Sequence, residues 1–356
     1  MHLETSVNPV VDVEKSHTFS PKAVTSLIFH PFGKFVLGPY FRSQLFPATR
    51  RSVTQGTTGL KKILIPSEED PRLHIIEYQA RCEAKDVVMD TRLFVFIHGR
   101  NCSASSAGRP SRHSSTDIVN NLSQHGTVLG VNLPGYEESA LTHDSLENAE
   151  QDTMEVTGHL ESFVRRAAAT RGIMEANVVI VGYSIGTYMS ICLASRLQTA
   201  SVVLIAPPRD LKSINFSLRG ISLKPLIPFA ARHAYPRDLE VAFSPGYKTT
   251  GFNSVRFLER HGGRIIGNMA IFVAENDEIV PRDSGQSLKR AFDDSARRQH
   301  PAHLSNLPAC RHNASPSKEA WQTLLREWDS RVLERRSFDG HMQFMTGPLT
   351  SLKEKC

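Results

Sequence analysis

The chain has 356 residues, of which 40% are hydrophobic and 22% charged, with 42 Lys and Arg against 36 Asp and Glu. That composition excludes a disordered or fibrous chain and supplies a large core, and one α/β domain with an insertion accounts for the length as well as two domains do. The net charge of +6 comes with no recognised binding motif, so nucleic acid is excluded as a partner.

The five cysteines, Cys82, Cys102, Cys192, Cys310 and Cys356, are odd in number, widely spaced and never in a CxxC pair. Neither a zinc site nor a disulfide framework follows, and a reducing compartment is the simpler reading. The residues after Met1 lack the basic and apolar regions of a leader, and no run reaches the roughly 18 apolar residues of a membrane span. The expectation is a soluble, cytoplasmic protein.

Residues 1–60 read as an N-terminal extension. Met1 to Ser20 is polar, whereas Leu27 to Phe41 and Leu45-Phe46-Pro47 are aromatic and apolar, beside Arg42, Arg50, Arg51, Lys61 and Lys62. Packing across the core is the main expectation for this stretch; contact with a membrane surface is the alternative. Lys61 to Pro66 and Leu73 to Tyr78 then have the pattern of two antiparallel strands.

Buried-strand runs follow at Arg92 to Ile97, Thr127 to Val131, Val178 to Val181, Ser201 to Ala206 and Met269 to Ala274. Between and after them, helices are expected at Ser114 to Ser123, Ser145 to Ala169, Ser184 to Leu197, Ser254 to His261, Ser284 to Phe292 and Lys318 to Trp328. This alternation predicts a mostly parallel sheet covered on both faces. Asp293 to Ser317 is long, polar and contains proline, so it reads as a surface insertion. Arg331 to Arg336 reads as a last strand before Gly340-His341.

The chemistry concentrates at Gly182-Tyr183-Ser184-Ile185-Gly186. It follows Val178-Val179-Ile180-Val181 and precedes a potential helix, the strand–turn–helix context of a nucleophile elbow. Glycines permit the sharp turn that exposes a serine hydroxyl, and the helix start offers free N–H groups beside it. Upstream, a strand ends in His98-Gly99-Arg100-Asn101; another runs into Asn132-Leu133-Pro134-Gly135. Downstream, Ala274 leads into Glu275-Asn276-Asp277-Glu278-Ile279-Val280-Pro281, and Phe338-Asp339-Gly340-His341 lies near the end.

Together these motifs resemble the α/β-hydrolase superfamily from about Lys61 onward, and are most similar to lidded serine hydrolases of the monoglyceride lipase and serine aminopeptidase type. The resemblance implies an α/β-hydrolase domain over 61–356 with a cap inserted after the sixth strand, at about 209–265. It implies Ser184 as nucleophile, Asp277 as acid and His341 as base, with the backbone N–H groups of Ile185 and Arg100 as oxyanion hole. Asp210 is a rival acid. His303 and His312 are rival bases, less favoured because their surroundings read as a surface loop. Thr187, where many relatives carry glycine, Glu137, and the polar loop Cys102 to Ser115 depart from the family pattern.

The implied activity is a serine hydrolase, lipase-like, that cleaves an acyl ester (a thioester or amide being variants) through an acyl-enzyme on Ser184. A catalytically silent binding protein and an acyltransferase with the same triad are the alternatives. No cofactor and no metal are implied, since no His/Cys/carboxylate cluster has ligand spacing. Residues Arg209 to Arg264 hold ten Lys and Arg against four Asp and Glu, an excess equal to that of the whole chain. Such a cap would suit a small acyl substrate with a negative head, or a membrane surface; a solvated basic face is the equal alternative.

Overall fold

The computed structural model describes residues 61–66, 73–79, 92–99, 104, 114–132, 149–210, 213–214, 217–218, 221–222, 253–296, 301–308, 310–312 and 315–330. The N-terminal extension, most of the expected cap, the 331–336 run, Arg100 and His341 lie outside them.

Among the described residues eight strands form one sheet: β1 (Lys61–Pro66), β2 (His74–Gln79), β3 (Leu93–Ile97), β4 (Thr127–Asn132), β5 (Val178–Tyr183), β6 (Ser201–Ile205), β9 (Met269–Ala274) and β10 (His303–Leu307). A two-stranded ribbon, β7 (Ser217–Leu218) and β8 (Ile221–Ser222), lies apart from it. The order across the sheet is β1-β2-β4-β3-β5-β6-β9-β10. β1 and β2 pair antiparallel, as do β2 and β4; every later pairing is parallel.

The helices are α1 (Ser114–Leu122), α2 (Ala149–Thr170), α3 (Gly186–Arg196), α4 (Ser254–His261), α5 (Asp283–Ala296) and α6 (318–330). Strand alternation divides the core between two faces. Leu93, Val95, Ile97, Ile180, Leu204 and Ile271 pack with α2, α3, α4 and α5. Phe94, Phe96, Val181, Val203 and Phe272 pack with α1 and α6. Both faces are therefore dry, which is why β3, β5, β6 and β9 are continuously apolar rather than alternating. Each large side chain so enclosed contributes about 1.5–3 kcal/mol of transfer free energy.

The stretch Asp293 to Ser317 is not a surface insertion. α5 runs on to Ala296, and β10 then pairs parallel to β9 as the last strand of the sheet. Its sequence, HLSNL, carries two apolar residues in five, because an edge strand is half solvated. Polar staples hold it: Asp293 accepts from the Ala302 N–H at 2.7 Å, and the Lys289 ammonium donates to Asp293 at 2.5 Å and to the Ala302 carbonyl at 2.8 Å. Among the described residues no helix is long and apolar enough to cross a membrane.

Candidate active site

Carboxyl ends of parallel strands are where this architecture exposes reacting groups. At the end of β5, Ser184 has φ 51°, a left-handed conformation uncommon for a residue with a side chain. The ladder to β6 is kept through the turn by the Ser184 N–H, which donates to the Ile205 carbonyl at 2.9 Å. α3 begins two residues later, and its first turn is tied back when the Thr187 N–H and hydroxyl donate to the Ser184 carbonyl, at 3.1 and 2.6 Å.

Close approach explains the two flanking glycines. A Cβ on Gly182 would lie 2.4 Å from the Ser190 hydroxyl oxygen and 2.8 Å from the Thr187 Cα. On Gly186 it would lie 2.4 Å from the His98 carbonyl oxygen and 2.5 Å from that of Ile97. α3 therefore packs directly against β5 and the turn after β3. The turn after β3 packs on the elbow as well, since a Cβ on Gly99 would come within 2.9 Å of the Ser184 Cβ.

Ser184 Oγ lies 2.9 Å from His312 Nε2, and His312 Nδ1 lies 2.8 Å from Asp277 Oδ2. A carboxylate only accepts, so Nδ1 carries the proton and Nε2 is free to accept from the serine hydroxyl. The other carboxylate oxygen of Asp277 accepts from the N–H groups of Ile279 and Val280, both at 2.8 Å. With both oxygens engaged and its side chain only 2% exposed, Asp277 cannot swing away. All three groups are buried, so their hydrogen bonds act with little competition from water.

Among the described residues the histidine brought to Ser184 is His312; the expected base, His341, lies outside them. The expectation of a surface loop at His312 also fails. Its segment returns from edge strand β10 over the carboxyl end of the sheet, and the ring is buried against Tyr183, with centroids 5.9 Å apart. The signal that could have found it is positional: a helix and then a strand follow the acid loop, and the base belongs after that last strand. Asp210, the rival acid, is engaged elsewhere. It accepts from the Ser213 N–H at 2.6 Å and pairs through its backbone with Asn253. His303, the rival base, opens β10 and is exposed.

Ile185 occupies the N-cap of α3, in right-handed helical conformation and with no side-chain cap. Its N–H sits at the positive end of the helix beside Ser184, as an oxyanion donor requires. Among the described residues no group of three or more His, Cys, Asp or Glu could hold a metal ion.

A family model described as the alpha/beta hydrolase family matches residues 94–328. The chain belongs to the alpha/beta hydrolase family. The match includes Ser184, Asp277 and His312 and ends before His341. No curated protein matches this alpha/beta hydrolase in sequence. Among solved structures it is similar to a protein from Bacteroides ovatus described as a dipeptidyl aminopeptidase IV, at 14% identity and TM-score 0.52, covering 76% of this chain and 35% of that one. An esterase from Pyrococcus furiosus aligns at 13% identity and TM-score 0.47, covering 81% and 95% of the two chains. A cold-adapted esterase from an Arctic intertidal metagenomic library does so at 13% and 0.48, covering 78% and 96%. This hydrolase thus spans about a third of the Bacteroides protein's length. At 14% identity the likeness to the Bacteroides structure carries the fold alone.

Proposed function

We propose that this alpha/beta hydrolase is a serine hydrolase that cleaves an acyl ester through a covalent intermediate on Ser184. One observation carries the reading: the continuous line of hydrogen bonds from the Ser184 hydroxyl through His312 to Asp277. His312 Nε2 takes the hydroxyl proton as Oγ attacks the acyl carbon, and the resulting imidazolium gives that proton to the leaving alcohol. Asp277 fixes the tautomer and stabilises the imidazolium. Water, deprotonated by the same nitrogen, then attacks the acyl-enzyme; the carboxylic acid leaves and Ser184 recovers its proton.

The Ile185 N–H, with that of Arg100, is the proposed oxyanion hole. Each such donor is worth about 3 kcal/mol of barrier. Thioesters and amides are variants of the same chemistry, and acyl transfer would follow if another acceptor replaced water. A silent binding role is disfavoured, because a buried His–Asp pair that ends on the hydroxyl of a backbone-strained serine is the arrangement that activates a nucleophile. The substrate is proposed to be a small acyl compound, with the basic segment Arg209 to Arg264 drawing in those with a negative head.

The test is labelling with a fluorophosphonate probe, together with hydrolysis of p-nitrophenyl esters of graded chain length. Both activities should appear in the wild type and vanish in Ser184→Ala and His312→Ala. An unlabelled, inactive wild type would leave the silent reading standing.

A further inference from the structure

We infer that Tyr183 is a positioning residue whose hydroxyl sets the base-bearing loop against the nucleophile, an inference that rests on the reading of Ser184 and His312 given above. The base and acid come to the site as one unit. β9 and β10 are paired along their length, and the loops beyond them are tied by two more backbone bonds. The Glu275 N–H donates to the Leu307 carbonyl at 3.2 Å, and the Asn276 N–H to the Cys310 carbonyl at 2.8 Å. The His312–Asp277 bond completes that unit.

The nucleophile comes from elsewhere. β5 is separated from β10 by β6 and β9, three strand spacings or about 14 Å. Among the described residues, two hydrogen bonds close that distance at the site. One is the Ser184–His312 hydrogen bond itself, which must break and re-form in every cycle. The other is the Tyr183 hydroxyl, which donates to the His312 backbone carbonyl at 3.1 Å and takes no part in proton transfer.

Tyr183 is suited to that task. It precedes Ser184, so its backbone moves with the elbow, and it is fully buried. Its ring is also gripped by the turn after β3, since a Cβ on Gly99 would lie 2.7 Å from Tyr183 Cδ1. A rigid ring held at both ends presents its hydroxyl at one point. Fixing the carbonyl of His312 there fixes the peptide from which the imidazole hangs, leaving only its two side-chain torsions, which Asp277 restrains. Displacement of a reacting group by about 1 Å can cost 10²-fold in rate. A single neutral hydrogen bond is, by contrast, a small share of the stability of a core this size.

The experiment compares wild type, Tyr183→Phe and Tyr183→Leu, with His312→Ala as reference. It reads the fluorophosphonate labelling rate, kcat and KM for a p-nitrophenyl ester, and the melting temperature. Tyr183→Phe should label at least about tenfold more slowly and lose kcat in proportion, with KM within twofold and Tm within a few degrees. Tyr183→Leu, which also loses the ring, should lose more. Wild-type labelling by Tyr183→Phe would overturn the inference while leaving the triad intact, as would a kcat loss that merely tracks a large fall in Tm. A wild type that is not labelled, or His312→Ala labelled as fast as the wild type, would instead remove the reading on which it rests.

Discussion

His312 Nε2 lies 2.9 Å from Ser184 Oγ across 128 residues of sequence. The serine sits on a central strand and the histidine beyond an edge strand, so their meeting is a product of the whole sheet. Replacing His312 by Ala should therefore lower turnover by about 10³ or more, as removal of a triad base does. His341→Ala should stay within a few-fold of wild type. Steady-state rates on one p-nitrophenyl ester decide between the two histidines; an inert His341→Ala beside an active His312→Ala would reverse the assignment.

Asp277 combines two jobs that substitutions can separate. Asp277→Ala removes both the partner of His312 and the acceptor for the Ile279 and Val280 N–H groups, so it should lose activity and stability together. Asp277→Asn keeps an oxygen for those two amides, and its Tm should stay nearer the wild type while turnover still falls by about 10³ or more. Asp210→Ala should keep turnover, since Asp210 caps the Ser213 turn. Paired melting curves and rates for the three variants check this.

The two elbow glycines should be intolerant in a way that an exposed glycine is not. Gly186→Ala drives a methyl against two backbone carbonyls that cannot yield locally, and overpacking of that kind costs about 1–3 kcal/mol. Gly172 has φ 66° but nothing within 4 Å of its Cβ position, so Gly172→Ala should carry only a backbone cost of about 1–2 kcal/mol and leave kcat unchanged. Denaturant midpoints and kcat measured together would show it; loss of kcat in Gly172→Ala but not in Gly186→Ala would contradict the geometry.

Much of the fold was legible because its central strands are buried on both faces and carry the signal in their own residues. Val178 to Val181 and Met269 to Ala274 need no partner to be recognised. β10 was illegible for the opposite reason: Ser305 and Asn306 face partly outward, and its register comes from β9 and from the Lys289–Asp293–Ala302 staple. Without that strand His312 ranked behind His341 as the expected base, because a polar stretch without a strand offers no reason to bury a histidine. Ser184 and Asp277 were legible as candidates because each lies in the turn that follows an apolar strand.

His261 offers a check on electrostatics away from the site. Burial first, then the charges of Arg264 and Arg260, hold its imidazole below the ordinary value. The unfolded chain therefore takes up a proton near pH 6.5 while the folded one resists, so stability falls as pH drops through that range and is unaffected above it. Tm measured from pH 7.5 to 5 should decline less steeply in His261→Gln than in the wild type. Identical slopes would mean that His261 contributes nothing to the decline.

The excess of positive charge from Arg209 to Arg264 makes a kinetic prediction. Attraction of an anionic acyl substrate should raise kcat/KM at low salt and fade as the Debye length shrinks from about 30 Å at 0.01 M to about 10 Å at 0.1 M. A neutral ester of equal chain length should show a flat curve, and Lys212→Glu and Lys224→Glu should flatten the anionic one. Parallel curves for the two substrates would reduce the charge to a solvated face.

The acyl-enzyme is the most direct measure of the account. A p-nitrophenyl ester mixed with the enzyme and quenched in acid within the first turnovers should leave one acyl group, read by mass spectrometry on the peptide that carries Ser184. Ser184→Ala and His312→Ala should leave none. An acyl group on any other residue, or full hydrolysis with no acylated Ser184 at any quench time, would contradict the account.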